Sequence, residues 1–425
     1  MLDQLLRDIA STPNAPFLYG PSRKMIERMF SDHPDVAIQK DEFALYVRVK
    51  HGHSSRRVIV VTHLDHPGIV LKNSRHGIPF GSVGYERIVE HLTRAPIPVR
   101  VYDLNGAYQQ LAYLTDFKMW RGSPMVSLQA KNFISPNSHA IWDVPTFEKN
   151  NGIIKMHNAD NGAVTAVAME LLNTSTHMEN IDLEVLFVYV EEVHQISSTG
   201  IALRGKTPFG AIDDHTFIIN LEAMEIESNT LEKSLIDKFG LSFPNYDAGV
   251  LIKVNDGQLI YGFHFPNLIN EAELVVKTAA TELNIAHQYT ITTGSTDAKS
   301  FSLFPLTPHI VTLAVPCKWK HNQGSKGEFV PEEVYERDLE NTLALLKAVI
   351  QPIQQTQDKL KLSLNAKLKE NGYGLSVKQV KKLRNQRVSI MKAAQPRLRK
   401  GVYFDTSLRE FIEFNFWRVA SKFIN

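Results

Sequence analysis

Five places in the 425-residue sequence carry side chains able to hold a metal ion, each just past the carboxyl end of a predicted strand. His63 and Asp65 close the apolar strand ending at Thr62, in the run Thr-His-Leu-Asp-His. Asp160 stands at the entrance of a helix expected from Asn161 to Asn173. Glu191 and Glu192 follow the almost uninterrupted apolar strand Leu183 to Val190. Glu222 ends Phe-Ile-Ile-Asn-Leu-Glu, and His321 follows a strand that ends near Val315. In an open α/β sheet, ligands bind in the crevice outside the carboxyl ends of the strands, so loops distant in sequence converge there.

Two imidazoles and three carboxylates suffice for two divalent ions if one carboxylate bridges them, and pairs held ~3.5–4 Å apart serve two-metal hydrolases. A carboxylate beside the ions can take a proton from the attacking water and pass it to the leaving amine. Successive residues leaving a strand point in different directions, so Glu191 and Glu192 can divide metal binding and proton transfer between them. Asp65 can accept the second N–H of His63 and fix its tautomer.

Taken singly, each residue has an ordinary explanation. The Glu-Glu pair reads as solvated surface, His63 as a structural histidine, and Asp160 as a helix N-cap. Glu222 belongs to an acidic stretch with Glu225 and Glu227, and His321 lies among Lys318, Lys320 and Lys326. No short zinc motif such as His-Glu-x-x-His is present. The inference rests on the order of the whole group.

The elements that must position these residues alternate between strand and helix, which predicts a layered α/β sheet. Helices are expected over Leu2 to Ile9, Ser22 to Phe30 and Glu271 to Asn284, with a long one starting at Pro331. Strands are expected over Phe43 to Val49, Arg57 to Thr62, Phe217 to Leu221 and Ile310 to Val315. Between them, residues 71–149 change character: short strand-like pieces such as Val99 to Tyr102 and Met125 to Leu128 are separated by turn clusters. The expected organisation is a catalytic domain in two parts, 1–70 and 150–355, interrupted by a β-rich insert at 71–149. A basic, helical extension follows at 356–425.

That extension holds sixteen Lys and Arg against five Asp and Glu, although the chain as a whole carries only +2. Its run Lys378, Lys381, Lys382, Arg384 and Arg387 makes one positive face, to be read as a solvated helix, a dock for an acidic neighbour, or a nucleic-acid contact. Tyr373, Phe404, Phe411, Phe414, Phe416 and Trp417 suggest that its far end packs against something.

Apolar residues make up 43% and charged residues 22%, enough for a core without covalent staples. The single cysteine, Cys317, excludes an intrachain disulfide and favours a reducing, cytoplasmic setting. No apolar run reaches the ~18 residues of a membrane span, and the first residues lack the apolar core of a secretory signal.

The order His-x-Asp, Asp, Glu-Glu, Glu, His resembles the co-catalytic metallopeptidases. With the β-rich insert between the His-x-Asp strand and the next aspartate, it is most similar to the glutamyl-aminopeptidase and tetrahedral-aminopeptidase family, over roughly residues 1–355. The run Gly-Ser-Thr-Asp-Ala at 294–298 also resembles that family's Thr-Asp-Ala segment.

The resemblance implies an α/β/α metallopeptidase core with a mixed sheet and an oligomerising insert. It also implies cleavage of N-terminal residues from peptides and assembly into homo-oligomers. Asp160 would bridge two divalent ions, zinc first, with cobalt or manganese as substitutes. His63 and Glu222 would complete one site, and Glu192 and His321 the other. Glu191 would be the general base, and Asp65 would orient His63.

The sequence departs from the family beside its ligands: Asn161-Gly162 follows Asp160, His194 follows Glu-Glu-Val, His66-Pro67-Gly68 follows Asp65, and Lys318-Trp319-Lys320 precedes His321-Asn322. His66, His157 and His194 could add polar groups to the pocket, although a plain surface role is the first expectation for each. Two other readings remain open: a related amidohydrolase or deacylase of small N-acylated substrates, and a non-catalytic binding or assembly protein using the basic tail.

Overall fold

A computed structural model describes residues 1–81, 85–120, 123–226, 233–234, 236–237, 240–254, 271–291, 295–304, 306–355, 377–400 and 403. Its centre is an eight-stranded mixed sheet. The strand order is Val36–Lys40, Ala44–His51, Ile181–Val188, Arg57–His63, Thr216–Met224, Ile310–Pro316, Val250–Lys253 and His287–Thr290. The strands Ile181–Val188, Arg57–His63, Thr216–Met224 and Ile310–Pro316 run parallel to one another. Every residue of Ile181–Val188, Thr216–Met224 and Ile310–Pro316 is buried. This is why these segments read as unbroken apolar runs: a parallel sheet is covered on both faces.

Helices make the outer layers. Ala159–Ser175 packs on Leu2–Ala10, on Glu336–Gln355 and on the central strands. Ile196–Arg204 and Asp297–Leu303 pack together in the other layer. The expected α/β/α arrangement with a mixed sheet is present.

Between His63 and Asp160 the chain leaves the sheet and builds a closed six-stranded barrel. Its strands, in order, are Gly68–Asn73, His76–Phe80, Ser123–Ala130, Tyr108–Trp120, Ile97–Tyr102 and His139–Trp142. Ile97, Val99 and Val101 alternate inward and meet Ile69, Leu71, Leu114, Val126 and Trp142 in a core of the barrel's own. A helix, Tyr85–Leu92, covers it through Ile88. A small barrel of this size is filled by its own side chains, so it is a packed body and no pore.

Pro331 does not start a helix. Glu332–Tyr335 is a strand that pairs antiparallel with Ile153–Met156, and the helix begins at Glu336. A long-range strand partner, invisible in local pattern, overrides the Pro-plus-acid signature of a helix start.

The extension forms a helix, Val377–Lys400, lying on the layered α/β body of the same chain against Ile196–Arg204 and Asp297–Leu303. Ile390, Met391, Ala394 and Leu398 are buried. The Tyr19 hydroxyl donates to the Leu398 carbonyl at 2.8 Å, and Arg399 pairs with Glu42 at 3.2 Å. Lys381 is exposed, while Arg384 donates to the Leu303 carbonyl at 2.6 Å. One face of the basic helix is thus an internal packing face rather than a fully solvated one. The aromatic residues Tyr373, Phe404, Phe411, Phe414, Phe416 and Trp417, and the side chain of Lys378, lie outside the described residues. Among the described residues, no helix is long and apolar enough to cross a membrane.

Candidate metal centre

The parallel strands deliver their end residues side by side. His63 is the last residue of its strand and pairs in register with Val188, so Glu191 and Glu192 emerge beside it. On the other flank, Thr216–Met224 carries Glu222 two residues from its end. Asp160 enters at the head of Ala159–Ser175, where its φ of −86° and ψ of 105° are not helical. Asn158 occupies the N-cap position, so Asp160 is free of the capping role that its place before the helix suggests. His321 sits in a short turn with φ of 59°, between Trp319 and Asn322, which are also left-handed.

The seven residues do converge. His63 Nε2 lies 3.4 Å from Asp160 Oδ1 and 3.3 Å from Glu222 Oε1. His321 Nε2 lies 3.2 Å from Asp160 Oδ2 and 3.1 Å from Glu192 Oε1. Asp160 therefore turns one oxygen to each histidine. Each of two triads, His63–Asp160–Glu222 and Asp160–Glu192–His321, offers one ligand atom per residue within 4.8 Å of the others. Ligands about 2.1 Å from a tetrahedral ion stand about 3.4 Å apart, close to the 3.1–3.4 Å between each histidine nitrogen and its carboxylate oxygens.

Hydrogen bonding agrees with that fit. Both carboxylate oxygens of Asp160 and the Nε2 of His321 are buried without a directed hydrogen bond. Buried polar atoms in that state need a partner; the Lys320 ammonium lies 3.0 Å from Asp160 Oδ2, and divalent ions would serve Asp160 Oδ1 and His321 Nε2. The His63 ring is oriented by its Nδ1–H, which donates to the Asp65 carbonyl at 2.9 Å. This leaves Nε2 with its lone pair toward the centre. The Asp65 carboxylate also supports the acidic pair. Its two oxygens accept the backbone N–H groups of Glu191 at 2.8 Å and Glu192 at 3.1 Å.

The electrostatics separate the acids. Burial pushes the Glu191 carboxyl well above the ordinary range; His63 opposes this, and Glu192, Glu222 and Asp297 add to it. Asp160 is held well below that range: burial opposes the shift, but Lys320, His321 and His63 outweigh it. His321 is drawn up to about 10, with burial opposing and Glu192 and Asp160 outweighing it. Two acids of one cluster thus prefer opposite protonation states, a pattern common at catalytic sites.

Sequence reasoning missed several supports. Glu332 is buried, and its Oε2 accepts the Asp160 N–H at 2.7 Å while Oε1 accepts the His321 N–H at 2.5 Å. Its sequence signal is an acid after Pro331, which reads as a helix start. Gln195 Nε2 donates to Glu191 Oε1 at 2.6 Å. His66 and His157 are buried rather than at the surface. His66 Nδ1 donates to the Asp160 carbonyl, and its Nε2 lies 3.0 Å from Asn322 Oδ1. Asn322 in turn donates to the His157 carbonyl at 3.0 Å. His194 is half-buried beneath the terminal helix, where Arg387 donates to its carbonyl. Thr296 caps Asp297–Leu303 through the Ala298 N–H, and Asp297 is pushed up to about 7, chiefly by burial. Gly294, in the same run, lies outside the described residues.

No family model matches the chain, and no curated protein matches it in sequence. Solved structures do match. The Pyrococcus horikoshii TET1 peptidase, which can assemble into a tetrahedron or a large octahedral shell, superposes with a TM-score of 0.61 at 17% identity, covering 82% of this chain and 99% of that one. An aminopeptidase from the archaeon Desulfurococcus kamchatkensis gives 0.64 at 16% identity, covering 85% and 99%. The TET aminopeptidase of a marine-sediment Thaumarchaeota archaeon gives 0.62 at 13%, covering 84% and 98%. Barrel insert and layered core together, this chain has the fold of the TET aminopeptidases.

Proposed function

We propose that the chain is a metal-dependent aminopeptidase that removes N-terminal residues from peptides. The observation that carries this reading is the placement of Asp160, whose Oδ1 faces His63 and whose Oδ2 faces His321. A carboxylate aimed two ways between imidazoles, with Glu222 and Glu192 closing the two triads, suits a bridging ligand of two divalent ions. The N and O donors suit zinc, with cobalt or manganese as substitutes. When bound, such ions supply Lewis-acid activation of water and of the scissile carbonyl.

The chain's own residues account for the proton movements. Glu191 Oε1 is fixed by Gln195, which leaves the other oxygen to accept the water's proton and return it to the leaving amine. Its raised affinity for a proton suits that exchange. Asp65 holds the backbone of Glu191 and Glu192 in place, which suits a division in which Glu192 binds metal and Glu191 serves the water.

A homo-oligomer is part of the proposal. Tyr108, Leu111, Tyr113, Met119 and Phe133 each expose apolar surface on the barrel insert, which suits contact with a second copy. A reducing, cytoplasmic setting suits the free, buried Cys317.

The test combines metal analysis with a substrate panel on protein purified without chelator. Bound divalent metal and turnover of substrates with a free amino terminus are expected. Preference for N-acylated substrates would replace the reading with a deacylase. Absence of both metal and turnover would leave only a binding role.

A further inference from the structure

The turn that carries the acidic pair is closed on itself. The Gln195 N–H donates to the Glu191 carbonyl at 2.7 Å, and the Val190 N–H donates to the Ser197 hydroxyl at 3.0 Å. Within the turn, His194 and Gln195 are both left-handed, with φ of 61° and 49°. Neither is glycine, and the side chain of an L-residue crowds the backbone in that region. Two such residues in succession persist only where their surroundings hold them.

A single peptide group sets this conformation. It joins His194 to Gln195: its carbonyl accepts from Arg387 of the terminal helix, and its N–H is the one bonded to Glu191. A peptide is a rigid plane, so its two ends turn together. Rotating the plane would carry φ of Gln195 out of the left-handed region, but the N–H would leave the Glu191 carbonyl. Arg387 opposes that rotation by holding the other end, through a hydrogen bond strengthened by its charge. Gln195 also donates from its side chain to Glu191 Oε1 at 2.6 Å. The residue that the latch steadies therefore grips Glu191 twice, at its main chain and at its carboxylate.

Arg387 is itself well anchored. Its helix packs on Ile196–Arg204, the helix that follows the turn, and buries Ile390 and Met391. Arg384, three residues away on the same side of the helix, donates to the Leu303 carbonyl at 2.6 Å.

We propose that Arg387 is a positioning residue for Glu191: from the C-terminal helix it latches the His194–Gln195 peptide, and through Gln195 it holds the carboxylate in the geometry of proton transfer. This rests on the aminopeptidase reading above and adds that the basic extension is a working part of the enzyme.

The test compares full-length, metal-loaded wild type with Arg387→Met, Arg387→Lys and Arg384→Met. It reads kcat, KM, metal content and amide hydrogen exchange over residues 190–198. Arg387→Met should lower kcat by about 10–100-fold at nearly constant KM, the cost of a small misplacement of a reacting group. Exchange across the turn should quicken by about tenfold or more, a readout that does not depend on turnover. Arg387→Lys keeps a charged donor and should recover most of kcat. Arg384→Met removes a contact of the same kind made by the same helix, but to the last residue of Asp297–Leu303. It should leave kcat and the exchange of the turn nearly unchanged. If Arg387→Met does not fold, Arg387→Gln takes its place with the same expectations. Unchanged kcat and exchange in the Arg387 variant would overturn the proposal. So would an equal loss from Arg384→Met, which would make the helix a brace. Loss of metal together with kcat would move the effect to Glu192 and overturn the assignment to Glu191. A wild type without turnover would sink the aminopeptidase reading and this role with it; an active wild type indifferent to Arg387 would sink this role alone.

Discussion

Glu332 holds Asp160 by its backbone: Oε2 accepts the Asp160 N–H at 2.7 Å, and Oε1 accepts the N–H of His321 at 2.5 Å. One buried carboxylate therefore fixes the main chain of two proposed ligands that are far apart in sequence. Groups that orient ligands typically contribute about 10–100-fold in metal affinity. Glu332→Ala should lose that much in a chelator-competition assay. Unchanged affinity in a folded variant would reduce Glu332 to a structural acid.

Glu191 is the proposed proton carrier and is not needed to complete either triad around Asp160. Glu191→Gln should lower kcat by about 10²–10⁴-fold, the range for loss of a general acid–base group, with metal content unchanged. A variant that loses its metal as well would place Glu191 among the ligands, as its proximity to His63 and Glu192 also allows.

Asp65 accepts two adjacent backbone N–H groups, one on each oxygen. In Asp65→Asn the amide NH2 must face one of those donors. The displaced Glu191 should cost about 10–100-fold in kcat, since small misplacements of a reacting group are expensive, while KM changes little. A rise in KM at constant kcat would contradict this.

Glu184 lies away from the centre, buried in its strand, with Arg57 at 3.3 Å and Thr207 at 3.2 Å. Burial pushes its carboxyl up to about 7, against the opposing effect of Arg57. A folded-state value above the unfolded one means that the neutral form's contribution is complete below the ordinary value of 4.5 and is lost as pH rises through about 7. The wild type should therefore lose stability relative to Glu184→Gln between about pH 5 and about pH 8, by up to about 3 kcal/mol. Denaturant titrations at those two pH values measure the difference; parallel curves would show that Glu184 stays ionised.

Leu398 anchors the end of the basic helix, with 1% of its surface exposed. Leu398→Ala should cost about 2–4 kcal/mol, the usual range for emptying a buried leucine site. Because Arg387 on that helix binds the His194 carbonyl, next to the Glu191–Glu192 turn, kcat should fall too. Thermal unfolding and turnover measured on one preparation would check both. A drop in stability with kcat unchanged would mean the helix is only a brace.

The proposed metal-ligand group was legible in the sequence because buried parallel strands announce themselves as unbroken apolar runs, and polar residues at their ends stand out against them. His63, Glu191, Glu192 and Glu222 each follow or end such a run, as Leu183 to Val190 and Phe217 to Leu221 show. The β-rich character of residues 71–149 was equally local, written in turn clusters and alternation at Val99 to Tyr102. Closure of that segment into a barrel was not, because closure depends on the pairing of Gly68–Asn73 with His139–Trp142, about seventy residues apart. Glu332 was hidden for the same reason: its strand exists only because Ile153–Met156 is there to pair with it. Buried His66 and His157 read first as surface histidines and only second as pocket groups, since polarity alone cannot reveal an environment assembled from Asp160, Asn322 and Thr146. The sequence by itself determined which side chains gather at the strand ends. Only the tertiary structure decided that Asp160 faces both histidines, that Glu332 clamps two ligand backbones, and that Lys320 reaches the centre at all. These are relations between distant segments, and hydrogen bonds and charges act across space without regard to chain order.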